Sequence, residues 1–188
     1  ILFIYLSIPY FFNYEKNKLV IQKKILNNFS LNINIINKSK YSIFPSPRIN
    51  LYNVEILSFS NVTNKIGSVQ KVTLRIPFKK LINFKTLDFY SIELFKAKIN
   101  IKSSEIKNFY RYLKQEKHKK PVRLSKSKIN FLNKGKLLSS VTVKKLDILN
   151  EDLISKIKFK GKVFNNEIKI EYQNSNLNKK PIFIVTIA

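Results

Sequence analysis

The side chains able to do chemistry are few and scattered. The 188 residues contain one His, no Cys and 11 acidic groups. A hydrolase or transferase site needs a nucleophile beside a base, and a metal site needs three or four His, Cys, Asp or Glu converging at ligand spacing. His118 sits alone in the charged run QEKHKK, where a solvated surface residue is expected. Glu151-Asp152 is the one adjacent acidic pair, and an exposed turn explains it better than acid/base work. The three Gly are isolated, so no phosphate-cradling loop exists. The chain is therefore read as no enzyme, with no metal and no cofactor. Without Cys there is neither a disulfide framework nor a thiolate site.

What remains abundant is positive charge: 36 Lys and Arg give a net charge of +25. Such an excess points to phosphate, nucleic acid or an anionic membrane. A second reading competes, because only four of the cations are Arg, Ala occurs only at 97 and 188, and Lys, Asn and Ile abound. That usage suits an AT-rich coding sequence whose lysines accumulate on solvated faces. Nucleic acid is not expected: the aromatics fall mostly in phase with Ile and Leu, as core residues do, and no RNA-binding motif is present.

The elements that position these groups follow from periodicity. Ile1 to Phe12 is apolar apart from Ser7 and Pro9 and ends in Tyr10, Phe11, Phe12 and Tyr14, an aromatic border of the membrane-interface type. Twelve residues are too few to span a bilayer, which takes about 20. The expectation is that residues 1–12 are the C-terminal part of a transmembrane helix and that 13–188 belong to a longer protein continuing at both ends. Asn13 to Ser30 turns helical, with Leu19, Ile21, Ile25, Leu26 and Phe29 on one face covering a neighbouring sheet. Strand-like alternation then dominates. A helix is expected from Glu105, with Ile106, Phe109, Tyr110 and Leu113 on one side. A meander of short-turned strands follows from Val122 to Ile187.

The least generic run is YSIFPSPRINLYNVEI, Tyr41 to Ile56. Pro45 and Pro47 lack an N–H and fix φ, so neither helix nor central ladder runs through Phe44 to Arg48. Beyond this corner Ile49 and Leu51 alternate with polar neighbours, and Val54 and Ile56 resume one position out of step. Such a slip requires a bulge or tight bend. Asp88 to Lys102 shows the same slip between Ile92/Leu94 and Ala97/Ile99/Ile101.

The apolar anchor, the amphipathic segment, FPSPRINLYNVEI and VTLRIPFKKLINFKTLDFYSIELFKAKINI at Val72 to Ile101 together resemble the N-terminal region of the AsmA family. These are bacterial envelope proteins related to bridge-like, chorein-type lipid-transfer proteins. The resemblance covers roughly the first 105 residues, with Phe44, Pro45, Pro47, Ile49 and Leu51 as its corner motif. Where the family tends to carry Gly before the corner and Asp after it, this chain has Lys40 and Asn53. The resemblance implies an inner-membrane protein facing the periplasm that binds or conducts phospholipid acyl chains along an apolar groove for outer-membrane maintenance. Membrane, phospholipid and other envelope proteins would be its partners.

The fold class expected is a β-dominated α+β one: a membrane helix, an amphipathic helix, and a long curved antiparallel sheet with short interspersed helices. Leu74, Ile76, Ile99, Ile101, Phe159 and Val163 are the candidate lining of the groove. Two alternatives stand beside it: the same residues pack on helices or further chain in an assembly protein without lipid, or the chain is a basic nucleic-acid-binding module.

Overall fold

The computed structural model describes residues 17–37, 39–58, 64–78, 88–114, 120–151, 154–175 and 178–187. In chain order they form α1 (Lys18–Phe29), β1 (Ile33–Ile35), β2 (Ser39–Ser42), β3 (Arg48–Leu57), β4 (Lys65–Arg75) and β5 (Ser91–Lys102). A 3-10 turn (Ser103–Glu105), α2 (Ile106–Lys114), β6 (Val122–Asn133), β7 (Lys136–Glu151), β8 (Ile154–Val163), β9 (Asn166–Ser175) and β10 (Asn178–Ile187) follow. All ten strands join one sheet in the order β1-β3-β4-β5-β6-β7-β8-β9-β10, with β2 also on β3.

Two expectations are corrected here. The sheet is mixed, not antiparallel: β5 and β6 run parallel, Ile92 opposite Val122 and Ile99 opposite Ile129. The reason is the α2 crossover, which carries the chain from the end of β5 back to the level at which β5 began, so the next strand must point the same way. The second correction concerns the membrane. No helix among the described residues is long and apolar enough to cross one, so the N-terminal membrane helix and the inner-membrane placement facing the periplasm are not supported. The run 1–12 on which they rested lies outside the described residues, as does His118.

The α1 stripe is narrower than its periodicity suggests. Ile21, Ile25 and Phe29, four apart, are fully buried, while Leu19 is 80% exposed and Leu26 is exposed as well. Gln22, a polar residue within the stripe, donates from Nε2 to the Ile33 carbonyl at 3.0 Å and so ties the helix to β1. The helix stops at Ser30, whose φ of 47° is left-handed and whose N–H closes on the Leu26 carbonyl. On α2 the inward residues are Tyr112, buried, and Phe109, partly buried; Tyr110 faces out. Ser103 donates to Asn133 instead of capping this helix.

A single device organises the sheet. On each of five neighbouring strands the buried apolar positions slip by one at the same height: Leu51 to Val54 on β3, Val72 to Val69 on β4, Leu94 to Ala97 on β5, Leu124 to Ser127 on β6 and Leu146 to Val143 on β7. The slips are in register. Leu51 lies opposite Val72, Val72 opposite Leu94, Leu94 opposite Leu124 and Leu124 opposite Leu146. Asn53, Lys96 and Lys126 fill the gap on β3, β5 and β6 with left-handed φ values of 50°, 51° and 49°. Between β7 and β8 the crease ends in a register shift at Lys144, the extra residue between Val143 and Lys145. From β8 to β9 the pairing runs without a slip. The expected slips at Leu51/Val54 and Leu94/Ala97 are thus two points on one line.

Close backbone approach at two glycines shows how tightly the sheet is packed. A Cβ at Gly67 would stand 2.6 Å from the Lys98 carbonyl oxygen and 3.1 Å from Ile99 Cα. At Gly161 it would meet the Thr142 carbonyl oxygen and the Phe159 ring. Gly67→Ala and Gly161→Ala are each expected to destabilise by about 1–3 kcal/mol through overpacking. Urea unfolding checks this as a lowered midpoint at unchanged slope, and an unshifted midpoint would refute the close packing.

Candidate functional site: the open apolar face

The six candidate lining residues all lie on one face of the sheet, but the structure divides them. Leu74 is fully buried between Ile49 on β3 and Ile92 on β5. Ile99 sits opposite Gly67 and Ile129, and Ile101 opposite Phe131. Ile76 directly follows β4, its N–H bonded to the Pro47 carbonyl at 2.9 Å. None of these four is more than 5% exposed, and they share one core with Ile21, Ile25 and Phe29 of α1 and Tyr112 of α2. They are sealed. Phe159 and Val163 on β8 are only partly buried.

Around those two the apolar face widens into residues that sequence patterning did not single out. Register places Ile157 beside Tyr172 and Tyr172 beside Phe183; Phe159 beside Ile170 and Ile170 beside Val185; Gly161 beside Ile168 and Ile168 beside Ile187. Tyr172 and Phe183 meet edge to face with centroids 6.5 Å apart. Exposure rises toward the last strand, where Phe183 is 63% and Ile187 69% exposed. The signal for β9 was available as the alternation Ile168, Ile170, Tyr172. In PIFIVTI every second-neighbour choice is apolar, so the inward side of β10 is fixed only by its register on β9.

The opposite face is polar and self-paired. Arg75 contacts Glu93, which accepts from Ser125; Arg123 donates to Asp147, which also holds Lys145; Glu171 takes Lys158 and Lys169. Each of these carboxylates is held by a cation on a neighbouring strand, Asp147 and Glu171 by one on their own strand as well, the arrangement of structural pairs and not of a poised acid and base. No group of three His, Cys, Asp or Glu able to hold a metal occurs among the described residues. The corner motif is divided too. Ile49, Leu51 and Pro47 are buried, Phe44 is 83% exposed, and the Phe44–Pro45 bond is cis.

No family model matches this chain, and no curated protein matches it. The candidate site therefore stands on its geometry: an apolar surface spanning β8, β9 and β10 with a lysine-studded reverse side, Lys156, Lys158, Lys160 and Lys162 alternating with Ile157, Phe159, Gly161 and Val163.

Two aspartates give a pH test of the polar face. For Asp147 burial pushes the pKa up, but hydrogen bonds from Arg123 and Lys145 outweigh it and hold the group below the ordinary 3.8. Asp88 behaves alike, burial being outweighed by Lys120 and Asn28. A carboxyl whose folded pKa is depressed stabilises the fold above its unfolded value and loses that contribution as pH falls through the folded one. Stability should therefore fall on acidification below about 3.8, and Asp88→Asn/Asp147→Asn should flatten that fall. Denaturation midpoints measured from neutral to strongly acidic pH check this; parallel curves for variant and wild type would contradict it.

Proposed function

We propose that this chain is a lipid-binding β-sheet segment of the AsmA type, holding phospholipid acyl chains on the open apolar face of β8, β9 and β10. The observation that carries the reading is the division of one continuous apolar face into a covered part and an uncovered part. Antiparallel sheets commonly solvate the polar face and pack the apolar one, and here it is the apolar face of the last strands that lacks cover among the described residues. Burying one such side chain against hydrocarbon contributes about 1.5–3 kcal/mol, so an acyl chain running along several of them offsets the cost of ordering it. The residues are branched or aromatic and carry no charge, which suits a chain without hydrogen-bonding groups.

A second reading is favoured by β10 itself. Ile182 and Ile184 project to the polar side and are exposed, as are Phe183, Val185 and Ile187 on the apolar side. A strand apolar on both faces at a sheet edge suits addition of another strand, as in an assembly protein that carries no lipid.

Site-specific photo-crosslinking in cells separates the two. Probes at Phe159, Ile170 and Val185 should capture phospholipid, and one at Lys158 on the reverse face should not. A probe at Ile99, which the core seals, should capture neither lipid nor partner. Protein adducts alone at Phe159 and Val185 would favour assembly, and equal lipid capture at Lys158 would overturn the proposal.

A further inference from the structure

The crease also gathers charge. Lys71, Lys96 and Lys126 place their Nζ atoms 5.4, 5.5 and 5.7 Å from the centroid of the one Phe95 ring. Beside them a cavity of about 530 Å3 is lined by four lysines, Lys96, Lys126, Lys128 and Lys144, and floored by the apolar Ala97 and Val143. Lys144 pairs with Glu167. Lys71, Lys96, Lys126 and Lys128 make no ion pair among the described residues.

The crease accounts for the backbone at these positions but not for the choice of lysine there, which is costly in two ways. The three ammonium groups gather about one ring and, as like charges, repel one another. Further, Lys96 and Lys126 occupy left-handed positions, which disfavour residues with a Cβ and suit Gly or Asn. Asn53 is the economical choice at the equivalent position on β3. Lysine at both positions brings two ammonium groups to the same ring where glycine or asparagine would meet the left-handed backbone at less cost. Strained non-glycine positions of this kind cluster at ligand sites.

We propose that this lysine cluster is a binding site for a phosphate group. Ammonium groups are compact charges with three donors each, and several of them around one cavity match the tetrahedral oxygens and multiple charge of phosphate; a lone carboxylate is better met by an arginine fork. The Phe95 ring, covered by lysines, is not free to stack on a base, which disfavours single-stranded nucleic acid. The cluster lies where the outward-facing residues of β5, β6 and β7 meet, away from the open apolar face, and does not depend on acyl-chain binding. The phosphate could belong to a phospholipid headgroup or to a soluble phosphate ester.

The test uses the intact protein at physiological salt in two arms: calorimetric titration with inorganic pyrophosphate, and co-sedimentation with phosphatidylglycerol–phosphatidylcholine vesicles against phosphatidylcholine alone. Saturable binding in the first arm identifies a soluble phosphate, and anionic-vesicle binding competed by pyrophosphate identifies a headgroup; either supports the site. Lys96→Gly/Lys126→Gly should melt at or above the wild-type temperature, since glycine fits both positions. It should weaken binding about tenfold or more, as expected for two lost charge-assisted hydrogen bonds. Lys107→Gln/Lys136→Gln removes the same charge from exposed positions elsewhere and should leave binding unchanged. Lys128→Gln, which touches neither left-handed residue, should weaken binding in the same direction and decides the matter if the glycine pair unfolds. Absence of saturable binding in both arms, or equal loss in the Lys107/Lys136 variant, overturns the proposal.

Discussion

Side chains on a strand alternate with a period of two, so a sheet keeps one face apolar only if all its strands agree on which residues face inward. In this protein five adjacent strands change that agreement together. The pairs Leu51/Val54, Val69/Val72, Leu94/Ala97, Leu124/Ser127 and Val143/Leu146 are each three residues apart, and register aligns them across the sheet. Were a single strand to omit its slip, half of its inward side chains would turn to solvent. On β5 that half is Ala97, Ile99 and Ile101, all now buried. The crease is therefore collective: each left-handed residue is tolerable because its neighbours require the same offset.

The same line explains the breaks at its two ends. On the β3 side the outer edge is made of two short strands, β2 facing Arg48 to Leu51 and β1 facing Val54 to Ile56, one on each side of Asn53. On the far side the mismatch is absorbed at Lys144, and β8 and β9 then pair without interruption from Ile154 to Val163. Helical cover follows the same division. α1 and α2 contribute to the core built on the early strands, while Ile157 and Phe159 of β8 pack only against its margin and the apolar residues of β10 are exposed.

Much of this geometry is written in local pattern. The spacing of Leu51 and Val54 across Asn53, and of Leu94 and Ala97 across Lys96, announces a slip on each strand; that the slips align depends on register between strands, which no single segment carries. The face of α1 is visible as Ile21, Ile25 and Phe29, though its width is decided by what packs on it, leaving Leu19 outside. The parallel pairing of β5 and β6 was missed because each strand reads alike whichever way its neighbour runs. Likewise Leu74 and Phe159 are equivalent by alternation alone. One is sealed and the other accessible because of where distant helices settle, and the membrane helix drawn from an apolar run of twelve residues is matched by no membrane-length helix among the described residues.

Acyl chains on the last three strands would be seen most directly by methyl NMR of isoleucine- and valine-labelled protein titrated with a phospholipid bearing a nitroxide on its acyl chain. If the open face holds the chain, the methyls of Ile157, Ile168, Ile170 and Val185 broaden first and strongly, while those of Ile49, Val72 and Ile99 stay sharp. Broadening centred on β3 to β5, or equal broadening of both sets, would contradict acyl-chain binding on this face.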